Sequence, residues 1–196
     1  MASYYVHLAI AKKYMEKNKG KIKSARDFYD GNILPDLVAD KTLTHYGIRT
    51  EQHDMIKHLR EKVNLQKFLF HNEINGDRDL GRLLHMYVDY EYYSNFLIEK
   101  NAEYLRRVDR FSLSCDHSYT MIHHEENLSE RYNVSFNLVS FARELEAQIP
   151  EWRAEFTRLA GVDYKGKLLF NKADLDVFIE RLSSANLEEL VEKFRS

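Results

Sequence analysis

The sequence predicts an all-α protein, a multi-helix bundle folded as one domain over residues 1–196. Three observations carry that expectation. Glycine and proline are scarce, 7 and 2 in 196 residues, too few for the tight turns that many short strands demand. Apolar residues recur at helical spacing over long segments. The few Gly, Asn and Pro residues fall between those segments, as punctuation rather than filler.

The first helix is expected from about Tyr4 to Asn18, with His7, Ala11 and Tyr14 on one side and Asn18-Lys19-Gly20 ending it. Ser24 stands three residues before Asp27, a capping box with Asp in place of Glu, and Gly31 and Pro35 are expected to cut that helix short. GNILPDLVADKTLTHYG reads as a loop ending at Gly47, and Thr50 as the cap of a helix beginning EQHDMIKHLREKVNL. A turn at Asn75-Gly76-Asp77 leads into the longest helix, about Asp79 to Arg107, where Leu80, Leu83, Leu84, Tyr87, Val88 and Phe96 form a broad apolar face. Helices follow over Ser118 to Tyr132 and about Ser135 to Ile149, the second stopped by Pro150. Trp152 to Leu159 and the stretches after Asn171 and Ser184 complete the set, and Gly161 to Phe170 is the one place for a hairpin or extended turn.

Charge and cysteine usage narrow the function classes. A net charge of -2 gives no general attraction to nucleic acid or anionic membrane. The basic run KNKGKIK is short and reads as a solvated loop, so no nucleic-acid partner is expected. The single cysteine, Cys115, excludes an internal disulfide and a cysteine-rich zinc cage, and fits a reducing compartment. MASYYVHLAIAKKYM has no basic region ahead of its apolar part, unlike a signal peptide, and no run approaches the roughly 18 apolar residues of a membrane span. A cytoplasmic protein without a membrane anchor is the expectation.

The chemistry is concentrated in LLHMYVDYEYY, where His85 and Asp89 stand four residues apart within an apolar, aromatic segment. On a helix the two side chains project from adjacent turns of one face. A buried carboxylate needs pairing, hydrogen bonds or a metal. The pair is therefore either a hydrogen-bonded core couple or a two-pronged metal clip of the N/O kind that zinc accepts. His7 in the apolar first helix, Asp36 after Pro35, and His45 before Gly47 are further candidates. Each has an ordinary reading as well: core histidine, turn aspartate and solvated loop histidine.

The order of these residues resembles the zinc-dependent phospholipase C family, whose wider superfamily includes zinc-dependent single-strand nucleases. The matching stretches are VHLAIA with His7, GNILPD with Asp36, THYG with His45, and GRLLHMYVD with His85 and Asp89, covering roughly the first 100 residues. The resemblance implies a helical domain in which Asp36, His45, His85 and Asp89 hold one zinc, and Asp89 bridges to a second shared with His7. It further implies a metal-activated water attacking phosphorus, with Asp36 accepting the proton of that water. The family's third zinc uses a histidine beyond the bridging aspartate, a position that falls near Asn95 here, so one or two ions are expected, zinc or another divalent transition metal. In CDHSYTMIHHEEN, Asp116 or His117 is the candidate to complete a second site, while His123 and His124 read as a polar helix face.

Taken together these readings point to a metal-dependent hydrolase of phosphate esters acting on a small phosphoester substrate. Two alternatives compete. One is a non-catalytic metal-binding protein on the same scaffold. The other is an HD-type phosphohydrolase built on His53-Asp54, with His45 or His7 before it and Asp89 after it.

Overall fold

The structure is a computed structural model that describes residues 3–38, 40–48, 54–161 and 163–195, with Glu126 described by its backbone only. It is all-α, as the sequence predicts. Eleven α-helices are present among the described residues, with no strand beyond one isolated antiparallel bridge between Tyr46 and Val63.

Helix α1 (Tyr4–Lys17) starts at Ser3, whose hydroxyl accepts from the Val6 N–H, and it buries Val6 through Ala11 together with Tyr14. Helix α2 (Ala25–Ile33) is capped by Ser24, whose hydroxyl accepts from Asp27 N at 3.2 Å. The return bond of the expected capping box comes from elsewhere: Asp77 accepts from the Ser24 N–H at 2.6 Å. Asp77 opens α6 (Asp77–Glu91), so one carboxylate ties the starts of two helices together.

Gly31 does not break α2; it lies inside it. A Cβ there would fall 1.9 Å from the Arg78 carbonyl oxygen, and one at Gly81 would fall 2.1 Å from that of Phe28. The two glycines face each other across the α2–α6 contact and let the backbones approach more closely than any side chain permits. The segment expected to be a loop after Gly31 is also more ordered than that. Leu34–Asp36 form a 3-10 turn containing Pro35, and α3 (Thr42–His45) is a single helical turn.

The expected helix after Thr50 is two helices, α4 (Met55–Arg60) and α5 (Leu65–His71), capped by Asp54 and Asn64. Thr50 itself, and His53 of the HD-type alternative, lie outside the described residues. Asp54 is exposed and spends its carboxylate on the Ile56 and Lys57 N–H groups.

The long helix expected to Arg107 is interrupted. After α6 the chain widens into a π-helical turn at Tyr92–Phe96, then continues as α7 (Leu97–Leu105) with a kink at Asn101. The Asn101 amide donates to the carbonyls of Leu97 and Leu169, which holds the kink against the 163–170 segment. Helix α8 (Arg110–Tyr132) begins earlier than expected because Asp109 caps it through the Ser112 N–H. Helix α9 (Ala142–Ala160) runs through Pro150 instead of stopping there. The bond that proline removes belongs to the carbonyl of Glu146, an exposed residue. The described residues of 161–170 are irregular and form no hairpin. Helices α10 (Lys172–Leu182, with an Asn171–Asp174 capping box) and α11 (Leu187–Arg195) close the chain. No helix among the described residues is long and apolar enough to cross a membrane.

Candidate metal centre

Five candidate ligand residues from four separate elements meet in the core. His7, His85 and Asp89 have no exposed surface, and Asp36 and His45 are 3% and 4% exposed. The solvated-loop reading of His45 is therefore overturned. Helix α1 supplies His7, the 3-10 turn supplies Asp36, α3 ends on His45, and α6 presents His85 and Asp89 from successive turns.

Asp36, His45, His85 and Asp89 form a buried group that can hold a metal ion, each offering one ligand atom, all within 4.8 Å of one another. His45 Nε2 lies 3.1 Å from both His85 Nε2 and Asp89 Oδ2, and 3.5 Å from Asp36 Oδ1. His85 Nε2 lies 3.8 Å from Asp36 Oδ1 and 3.7 Å from Asp89 Oδ2. A tetrahedral ion with bonds of about 2.0–2.1 Å requires its ligands to sit roughly 3.3 Å apart. The spacing brackets that value.

The tautomers follow from what surrounds the rings. His85 Nδ1 is 2.7 Å from the Asn32 carbonyl, which only accepts, so Nδ1 carries the proton. Burial, with His7 and His45 alongside, lowers the His85 pKa well below the usual imidazole value, so the ring is neutral and Nε2 keeps a bare lone pair. The Thr44 hydroxyl donates to the Pro35 carbonyl at 3.0 Å, which leaves its oxygen to accept from His45 Nδ1 at 2.9 Å. In that arrangement two lone pairs face each other at 3.1 Å. A cation relieves that opposition, and carbonyl- or hydroxyl-oriented imidazoles are the usual supporting shell of metal ligands.

The carboxylates agree with this. Neither oxygen of Asp36 has a hydrogen-bond partner, although Lys41 Nζ stands 3.4 Å away. Burial and the nearby Asp89 raise the Asp36 pKa, with Lys41 and the His7 and His45 rings acting in the opposite sense. Burial acts on Asp89 in the same sense, but the His45 and His7 imidazoles against its two oxygens outweigh it and hold Asp89 well below the carboxylate range. His7 Nε2 approaches the other Asp89 oxygen at 3.3 Å, while its ring stacks on His85 at 4.0 Å between centroids. Neither His7 nitrogen has a hydrogen-bond partner. Asp89 thus reaches His45 with one oxygen and His7 with the other, the disposition of a bridging carboxylate.

Asp116 and His117 are not part of the four-residue group. The Asp116 carboxylate accepts from the Tyr104 hydroxyl, from the Tyr164 hydroxyl at 2.7 Å and from the Lys167 N–H at 2.8 Å, and so latches 164–167 onto α8. His117 packs near the Tyr92 and Tyr93 rings, with its Nε2 buried and unpartnered. His124 is buried with its ring nitrogen against the Phe170 carbonyl, whereas His123 is exposed.

Two clefts reach the cluster. One, about 300 Å³, is lined by His45 and Asp89 together with Lys41, His58, Lys62 and Arg110. The other, about 540 Å³, is lined by Asp36 with Tyr4, Leu37, Met121, Ile149 and Trp152 among others. Lys62, His58 and Arg110 were not visible as site residues in the sequence. Nothing in their local spacing separates them from surface charges; the tertiary packing gathers them at one cleft, with Lys62 docked against the Gly47 segment.

No known protein family, curated protein or solved structure matches the chain.

Proposed function

We propose that this protein is a zinc-dependent hydrolase of phosphate esters, related in its site to the zinc-dependent phospholipase C family that the first 100 residues resemble. The observation that carries the reading is the buried quartet of Asp36, His45, His85 and Asp89, with orphaned Asp36 oxygens, open to a cleft through His45 and Asp89. Two imidazoles and two carboxylates form a mixed N/O donor set of the kind zinc accepts. The ion, when bound, would supply Lewis acidity and a water of lowered pKa.

The chain's own residues then have distinct tasks. His85 is held by the Asn32 carbonyl with its lone pair toward the cluster, and His45 is held likewise by Thr44. Asp36, which lines the larger cleft, would take a proton from the attacking water. Lys41 beside Asp36 and Lys62 beyond Asp89 offset charge that develops on the phosphoryl oxygens.

Turnover of p-nitrophenyl phosphate and bis(p-nitrophenyl) phosphate by zinc-loaded protein tests this. Hydrolysis of at least one is expected, abolished by a chelator, restored by zinc, and reduced about 10²–10⁴-fold in Asp36→Asn. Zinc retained without turnover of either ester would leave a non-catalytic metal-binding protein in place of the hydrolase.

A further inference from the structure

The two clefts differ in charge, and the difference bears on which phosphoester fits. The smaller holds three cations, Lys41, Lys62 and Arg110, against two acids, Asp40 and Asp89. Asp40 accepts from the Thr42 N–H and hydroxyl, and the His45 and His7 rings stand against the two oxygens of Asp89. The larger cleft has Lys41 against Asp36 and Glu125, and walls that are mostly apolar.

Lys62 is set in place by backbone. Gly47 lies so close that a Cβ would sit 2.1 Å from the Lys62 carbonyl oxygen, and the Ile48 N–H donates to Glu61 at 2.9 Å. Its side chain is open to solvent, yet the ammonium is crowded by the cleft walls and rests 4.6 Å from the centre of the Tyr93 ring. That crowding, opposed by Asp89 and aided by Arg110, brings its pKa down to about 8, so it is still largely charged at pH 7. No carboxylate forms an ion pair with Lys62 among the described residues. His58, on the same cleft wall, is buried, and its Nδ1 has no hydrogen-bond partner.

We infer that this cleft seats the phosphoryl group through Lys62, Arg110 and His58, and that it takes phosphate monoester dianions in preference to diesters. The inference rests on the hydrolase reading. A monoester brings a second negative charge, its second pKa being about 6, and a third terminal oxygen. The cleft offers cations and a neutral imidazole to receive them, while the ester's organic group faces the apolar cleft. In the reaction the water oxygen forms a bond to phosphorus and the bond from phosphorus to the alkoxide oxygen breaks. The alcohol leaves with a proton, and inorganic phosphate remains in the cleft.

Inorganic phosphate is therefore the probe. Calorimetric titration of phosphate and of dimethyl phosphate into zinc-loaded protein at pH 7 is compared between wild type, Lys62→Gln and Lys62→Arg, with zinc content measured in each. Phosphate is expected to bind at least about 10-fold more weakly to Lys62→Gln, the loss of one charge-assisted hydrogen bond, and Lys62→Arg to recover most of that loss. Zinc content should be the same in all three. Dimethyl phosphate should bind more weakly than phosphate and respond little to Lys62. Equal phosphate affinity in wild type and Lys62→Gln with zinc retained, or dimethyl phosphate binding as tightly as phosphate, would overturn the inference and leave the hydrolase reading standing. Absence of zinc from the wild type would overturn both.

Discussion

His85 shows how one residue serves packing and chemistry at once. It is fully buried, stacked on His7, and hydrogen-bonded through Nδ1 to the Asn32 carbonyl, so the nitrogen left over is the one turned toward Asp36, His45 and Asp89. Tyr92 is the opposite case. It is equally buried, in an aromatic cluster with Phe96, Phe170 and Phe178, but its hydroxyl has no partner. An unpaired buried hydroxyl costs about 1–3 kcal/mol, and removing it without changing shape recovers part of that. Tyr92→Phe should therefore stabilise the metal-free protein by about 1 kcal/mol, raising Tm by about 2–4 °C in thermal unfolding. A lowered Tm would mean that the hydroxyl is satisfied after all. At this scale the sequence was informative where ligand types fall in helical register, as at His85 and Asp89, and uninformative for Lys62 and Arg110. Asp116 shows the limit of residue type as a guide: an acid beside a histidine was spent on two tyrosine hydroxyls and a backbone N–H.

At the scale of elements, the α2–α6 contact decides the geometry of the site. Gly31 and Gly81 let the helices close until the Asn32 carbonyl meets His85, and the Asn32 amide in turn donates to the Gly81 carbonyl at 3.3 Å. An alanine at position 81 would place its methyl 2.1 Å from Phe28 O and 2.9 Å from Asn32 N, both backbone atoms that cannot swing aside. Gly81→Ala should destabilise by about 1–3 kcal/mol or more, as overpacking does. It should also weaken zinc affinity about 10–100-fold, because the partner that orients His85 is displaced. Urea unfolding and a zinc titration measure the two effects, and a variant unchanged in both would show that the close approach is not what sets the site. Helix existence was legible from apolar spacing and caps, as for α1, α10 and α11. Interruptions were not. Gly31 looks like a breaker in sequence because its role is a contact with Arg78, 47 positions away. Pro150 looks like a stop because nothing local reveals that the carbonyl it frees belongs to an exposed residue, Glu146. The π-turn at Tyr92–Phe96 carries no glycine or proline to announce it.

For the whole molecule, the bundle encloses an arrangement that protein atoms alone leave unsatisfied. Two carboxylates and three imidazoles sit in the core, with neither Asp36 carboxylate oxygen and neither His7 ring nitrogen hydrogen-bonded, and Lys41 3.4 Å from Asp36 as its ion-pair partner. Burying such groups unpaired is costly, and a divalent ion bound by them offsets that cost and stabilises the fold by mass action. The convergence of His7, Asp36 and His45 on the α6 pair was readable only as an ordered pattern, since each residue alone has an ordinary explanation and their proximity is a product of the tertiary fold. The cluster should hold a metal ion. Elemental analysis of untagged protein purified without chelator, beside His85→Ala, tests it most directly. At least one zinc or other transition-metal equivalent per wild-type chain, lost in the variant, is the result predicted. No metal in either protein, with added zinc not retained, would contradict it and make His85 and Asp89 a hydrogen-bonded core pair.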